Sequence, residues 1–237
     1  MTKVIAHRGA WKEYDLPQNS IASLKKAFEI GANASEFDVH RTLDDVLVVF
    51  HDDELNGVRI EDYLWQDLQK TRLSNGEMIP LLQQFFDERD ELGATKLILE
   101  VKSSPTSVTK TLQCVRLVAN ATLKEGIHPH QVEFILFSWE GALLLKELLP
   151  HFSVSYLNGD RSVSELKEAN LDGFDYYFES LLTEEKFISD SKIMNLQSNA
   201  WTVNKWEDAA VLIRYGIDYI TTDYPKLFLD TINKKTL

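Results

Sequence analysis

Short apolar runs alternate with helical patterns along the chain, and this alternation constrains the fold more than any other feature. Strand-like runs fall at residues 3–7, 34–40, 46–51, 96–102, 132–138, 153–157, 173–178, 194–201 and 218–222, each short enough for a strand between turn residues. Apolar residues at helical spacing fill most of the gaps. Residues 20–28 stop before Gly31, residues 140–149 before Pro150 and residues 207–215 before Gly216, as helices do at a C′ glycine or a proline. Strand–helix alternation demands a parallel sheet covered by helices. Repeated some eight times, it predicts an α/β fold of the (β/α)₈ TIM-barrel type rather than an open doubly wound sheet. A chain of 237 residues suits one such barrel, so we expect a single domain over 1–237.

The second and third runs break the pattern. Only residues 41–45 separate them, too few for a crossover helix, so they form either a hairpin-like pair or one strand with a short turn. Beyond them residues 52–79 are polar, with weak periodicity. They read as a short insertion over the top of the barrel that returns at Pro80 into a helix over 81–91. The tail at Lys234 and Lys235 is expected to fray.

Composition narrows the partners. A net charge of −12 disfavours nucleic acid and anionic membrane surfaces, though a local metal or arginine can still favour an anionic substrate inside a cleft. No apolar run is long enough to insert stably in a bilayer. The start MTKVIAHRGAW reads straight into a strand and not as a signal peptide, so a cytoplasmic protein is expected. The lone Cys114 leaves no internal disulfide and no cysteine-based zinc site. The acidic surface is too diffuse to indicate a protein partner or an oligomeric state.

Chemistry-bearing residues cluster where strands should end. Period two puts Phe37 and Val39 on one face and Glu36 and Asp38 on the other. The same parity turns Ile98, Glu100 and Lys102 into the barrel. Burying three carboxylates costs several kcal/mol per ion unless they are paired or bound to metal. As hard oxygen donors they suit Mg²⁺ or Ca²⁺; the alternative is a structural ion-pair network around Lys102. His7 and His51 close two strands at the same rim, and a phosphodiester needs a base for the attacking oxygen and an acid for the departing one. Arg8 is placed either to grip a phosphate bidentately or to salt-bridge a rim acid. Trp201 is either core or a pocket wall. Asn19 or Ser20 reads as an N-cap, and so does Asn204. His40 is read as outward-facing by parity; His128, His130 and His151 sit in loops beside prolines and read as solvated. No P-loop, GxGxxG, CxxC, HExxH or GxSxG motif is present.

Taken in order, the segments IAHRGA, LPQNSIASLKKAFEIGANASEFDVHRTLDDVLVVFHDDEL, LILEVKS, FSW and AWTVNKWEDAAVLIRYGIDYITTDYP resemble those of glycerophosphodiester phosphodiesterases. The resemblance runs from Ile5 to about Leu229. It implies a (β/α)₈ barrel with a divalent metal, Mg²⁺ or Ca²⁺, that hydrolyses glycerophosphodiesters to glycerol 3-phosphate and an alcohol. It further implies Glu36, Asp38 and Glu100 as metal ligands, His7 and His51 as the acid/base pair, and Arg8 and Lys102 as phosphate contacts. Two segments depart from the family pattern. PQNS replaces the usual PENT, so a carboxylate becomes the neutral Gln18, and Asn56-Gly57-Val58 stands where an arginine-threonine pattern is usual. Two other readings stay open: a phospholipase-D-like lyase that ends at a cyclic phosphate, and a barrel that binds a phosphorylated ligand without turnover.

Overall fold

The computed structural model describes residues 1–91, Gly93 and 95–235. β1 (Lys3–Ala6) leads through α1 (Ile21–Glu29) to β2 (Ala34–Arg41), which turns back into β3 (Leu47–Val49). A two-strand ribbon, β4 (Glu54–Leu55) and β5 (Val58–Arg59), then precedes the short α2 (Trp65–Leu68) and α3 (Leu82–Asp87). Strand and helix alternate from there: β6 (Lys96–Val101), α4 (Val108–Lys124), β7 (Val132–Leu136), α5 (Trp139–Leu148), β8 (Ser153–Tyr156) and α6 (Val163–Glu168). After β9 (Gly173–Tyr177) come α7 (Phe178–Leu181) and α8 (Glu185–Ile193), then β10 (Gln197–Trp201), α9 (Trp206–Tyr215), β11 (Tyr219–Thr222) and α10 (Pro225–Lys235).

The parallel strands order as β1-β11-β10-β9-β8-β7-β6-β2, and β2 pairs back onto β1 through Ile5–Ala34 and Ala6–Ser35. That closure makes an eight-stranded (β/α)₈ barrel. β3 pairs antiparallel with the far end of β2, Val39 opposite Val49, so the second and third apolar runs form a hairpin-like pair. The helix expected over 81–91 is an α-helix only to Asp87 and tightens into a 3₁₀ turn at Glu88–Asp90.

Period two divides the molecule into two apolar layers. Phe37, Val39, Leu97, Leu99 and Val101 face out beneath the helices, with the Phe37 and Phe85 rings 4.4 Å apart. Ile5, Ala34, Ile98, Ile135, Leu157 and Tyr219 fill the barrel floor. Above that floor the same strand faces change from apolar to charged: Ala34 is followed inward by Glu36 and Asp38, and Ile98 by Glu100. The register sets Asp38 directly beside Glu100. A change from apolar floor to charged rim is how a barrel combines a packed core with a reactive C-terminal mouth.

The 52–79 segment packs Ile60, Leu68 and Ile79 against Val48 of β3. It is also tied to the barrel by charge. Glu77 accepts from the first-turn amides of Ile21 and Ala22 in α1, at 3.0 and 3.3 Å, where a carboxylate meets the positive end of the helix. Glu61 accepts from Lys110 Nζ at 2.8 Å. No helix among the described residues is long and apolar enough to cross a membrane.

Candidate active site

The loop after β1 shapes the site through its backbone. Gly9 has φ +83°, and a Cβ there would sit 2.4 Å from Ser23 Oγ and 2.7 Å from the Ser23 carbonyl carbon. Only glycine lets the chain turn so close to α1. Gly9→Ala is therefore expected to cost about 2–3 kcal/mol through strain and overpacking, lowering the melting temperature by about 5–10 °C in a circular-dichroism melt. Ser20 caps α1, accepting from Ser23 N at 3.0 Å. Asn19 does not cap: its Nδ2 donates to Asp38 Oδ2 at 2.9 Å, and its Oδ1 accepts from Asp38 N at 3.2 Å.

Glu36, Asp38 and Glu100 converge. Each is buried, and their ligand oxygens all lie within 4.8 Å of one another. Arg8 N donates to Glu36 Oε2 at 2.8 Å. The Arg8 guanidinium bonds Gln18 Oε1 at 2.8 Å and stands 3.5 Å from Asp38 Oδ2. Lys102 Nζ lies 3.0 Å from Glu100 Oε1 and 3.5 Å from Asp38 Oδ1, yet Glu100 Oε1 receives no aligned hydrogen bond from any described residue. Burial and its two acidic neighbours push the Glu36 carboxyl well above its usual range, and burial with Asp38 raises Glu100 to about 7. Burial acts on Asp38 in the same direction, but Lys102, His51, Arg8 and Asn19 hold it below its ordinary value. Three crowded carboxylates share two cations, and all are hard oxygen donors. This donor set fits a hard divalent metal.

His7 and His51 flank the cluster, and each is oriented by a carboxylate. His7 Nδ1 is 2.7 Å from Asp223 Oδ1, and His51 Nδ1 is 2.7 Å from Asp52 Oδ1. An ionised carboxylate only accepts, so each Nδ1 carries the hydrogen and each Nε2 is left for proton traffic. Asp223 is itself pinned by Lys12 Nζ at 3.2 Å and Asn204 Nδ2 at 2.9 Å. Asn204 is thus no N-cap; it holds the partner of a site histidine. Burial would raise the Asp223 carboxyl, but His7, Lys12 and Asn204 bring it down to about 2. A carboxyl depressed on folding stabilises the fold above its unfolded value, near 3.8, and loses that contribution as pH falls towards 2. Wild type should exceed Asp223→Asn in stability by about 2 kcal/mol at neutral pH. The gap should close between pH 4 and 2 in urea unfolding.

A cavity of about 170 Å³ joins these groups; His7, Arg8, Glu36, His51, Glu100, Lys102 and Trp201 line it with Ile135, Phe137, Leu157 and Asp175. Trp201 is half-buried as a wall, edge-on to Phe137 at 5.6 Å. A larger depression of about 640 Å³ beside Trp206 and Arg214 contains neither histidine nor a carboxylate cluster, so chemistry rather than size locates the site.

All eight residues singled out from the sequence for chemistry meet at this mouth. The outward reading of His40 is wrong. Period two sets it on the face of Glu36 and Asp38, where it is buried, with Nε2 3.3 Å from the His51 carbonyl. Burial and Lys102 lower its pKa to about 4, so it stays neutral. Sequence reasoning also missed Asp52 and Asp223 as histidine partners, and Asp175. Asp52 adjoins His51 and was findable; Asp223 lies 216 residues from His7 and carries no local signal. His128, His130 and His151 are exposed, as expected.

Barrel, site and sequence meet in one class, the barrel phosphodiester hydrolases. Residues 7–227 match the model of the Glycerophosphoryl diester phosphodiesterase family. The chain belongs to that family and is a phosphodiesterase acting on glycerophosphodiesters. It is 27% identical to the glycerophosphodiester phosphodiesterase of Caldanaerobacter subterraneus subsp. tengcongensis, with 98% of each chain covered. The crystal structure of a glycerophosphodiester phosphodiesterase from Parabacteroides distasonis superposes with a TM-score of 0.95 at 37% identity, covering 100% of this chain and 98% of that one. A phosphodiesterase from Oleispira antarctica, solved with the product sn-glycerol-3-phosphate, shares the fold at 23% identity and a TM-score of 0.85, covering 98% of this chain and 97% of that one.

Proposed function

We propose that the chain hydrolyses glycerophosphodiesters to sn-glycerol 3-phosphate and an alcohol, with His7 and His51 as its acid/base pair and Glu36, Asp38 and Glu100 holding Mg²⁺ or Ca²⁺. One observation carries the reading: two histidines, each with Nδ1 on a carboxylate, open onto the same cavity as Glu36 and Glu100, which cluster with the buried Asp38. The product bound to the Oleispira antarctica enzyme supports the same chemistry.

When bound, the metal supplies charge neutralisation at the phosphate. Arg8, steadied by Gln18 and Asp38, offers its remaining donors to phosphate oxygens, and Lys102 adds a point charge as negative charge builds there. One histidine Nε2 takes the proton of the attacking oxygen and the other returns a proton to the departing alkoxide. The Asp223 carboxylate stabilises the imidazolium as it forms on His7, and Asp52 does so on His51. Trp201 and Phe137 wall the cavity against water. Gln18 serves this scheme as a neutral acceptor that orients Arg8 without cancelling its charge.

Phosphorus NMR of the reaction with glycerophosphocholine tests the product. The expected end point is one glycerol 3-phosphate resonance. A cyclic phosphate accumulating as the final species would replace hydrolysis with the lyase reading.

A further inference from the structure

β9 reads Gly-Phe-Asp-Tyr-Tyr, and its alternation sends Phe174 and Tyr176 out beneath the helices. Asp175 therefore points into the barrel, where it is 2% exposed and lines the cavity of the two histidines. It stands outside the Glu36, Asp38 and Glu100 cluster. Asn199 faces its carboxyl as a hydrogen-bonding neighbour, and the other polar groups nearby are bonded elsewhere. Asn199, opposite it on β10, donates to Thr221 Oγ1 at 2.9 Å and accepts from Ala200 N at 2.8 Å. Trp201 Nε1 donates to the Asp175 main-chain oxygen at 2.9 Å and not to its carboxyl. Ile135, Phe137 and Leu157 on the walls present only carbon. Asp175 Oδ1 is left buried without a hydrogen-bond partner among the described residues.

A buried oxygen in that position carries its full desolvation penalty until a ligand meets it. A hydroxyl both donates and accepts, so it satisfies a carboxyl in either protonation state, whereas a trimethylammonium group has no hydrogen to give. At about 170 Å³ the cavity suits a three-carbon polyol joined to a phosphate and is smaller than sites for drug-sized ligands.

We propose that Asp175 is a specificity-determining residue that receives a hydroxyl of the polyol carried by the phosphate. The proposal rests on the phosphodiesterase reading for the phosphate end. A pocket that leaves a polar group unpaired when the hydroxyl is missing discriminates strongly against the deoxy analogue. Asp175 selects the three-carbon diol in this way and makes no contact with the reacting phosphorus.

Titration calorimetry in Mg²⁺ buffer tests it with three probes: sn-glycerol 3-phosphate, propyl phosphate and phosphoethanolamine. Wild type should bind glycerol 3-phosphate at least about ten-fold tighter than propyl phosphate, the least one good hydrogen bond gives. Asp175→Ala should lose that preference with propyl phosphate affinity unchanged. Asp175→Asn, which keeps the shape and both hydrogen-bonding functions, should retain most of it and guards against a folding defect in the alanine variant. No preference in wild type, or equal weakening of both phosphates in Asp175→Ala, overturns the proposal. So does a dependence on Asp175 seen only with phosphoethanolamine, since an ammonium would then be the partner. Diester turnover without hydroxyl preference sinks this inference alone, and hydroxyl-dependent binding without turnover sinks only the reading of the reaction.

Discussion

Replacing His51 with alanine is expected to lower kcat/KM for a glycerophosphodiester by about 10²–10⁴-fold, the span that one positioned acid or base contributes, and to leave the melting temperature near that of wild type. The His51 side chain is 31% exposed at the rim and, among the described residues, hydrogen-bonds only the exposed Asp52, so truncating it removes little packing. His7→Ala should cost as much in rate, with some stability as well, because it strips the buried Asp223 of its principal donor. Residues that act as a unit are not additive, so the double variant should fall little below either single one. Steady-state kinetics alongside a thermal melt separate the two effects. Equal rates in wild type and His51→Ala would remove His51 from the mechanism.

Saturating Mg²⁺ or Ca²⁺ should raise the melting temperature by about 5–10 °C. At a hundred times Kd a ligand contributes about 2.7 kcal/mol, and a domain of this size gains about 2–4 °C per kcal/mol. The buried carboxylates give the effect its direction. Without metal, Glu36 and Glu100 are held near Asp38 with their ionisation penalised by burial and mutual repulsion. Glu36→Gln and Glu100→Gln relieve that strain, so each should melt above wild type in EDTA and respond weakly to added metal. Differential scanning fluorimetry with and without EDTA reads both effects. A metal response as large in Glu36→Gln as in wild type would place the cation elsewhere.

Much of this architecture is legible in sequence because barrels obey simple periodicities. Alternation in Phe37 to Val39 and in Leu97 to Lys102 identifies the inward carboxylates, and Gly31, Pro150 and Gly216 mark helix ends. The same rule, applied one step further, puts His40 inside with Asp38, and it flags Asp175 between Phe174 and Tyr176. Other relations depend on closure and have no local trace. Asp223 reaches His7 only because β11 pairs with β1, and Asn204 turns from a supposed cap into a support for Asp223. Asn19 looks like a helix cap in sequence, but Ser20 takes that place and frees it for Asp38. Side chains with several hydrogen-bonding options are assigned by tertiary geometry, which short-range pattern does not contain.

The most direct test is release of glycerol 3-phosphate from glycerophosphocholine and glycerophosphoethanolamine. It should be followed first in EDTA, then with Mg²⁺ or Ca²⁺ restored, in wild type, His7→Ala and His51→Ala. The expected result is release in wild type that EDTA stops and metal restores, with both histidine variants slow at any metal concentration. Release that persists in EDTA, or that both variants sustain at the wild-type rate, would contradict a metal-dependent, two-histidine phosphodiesterase.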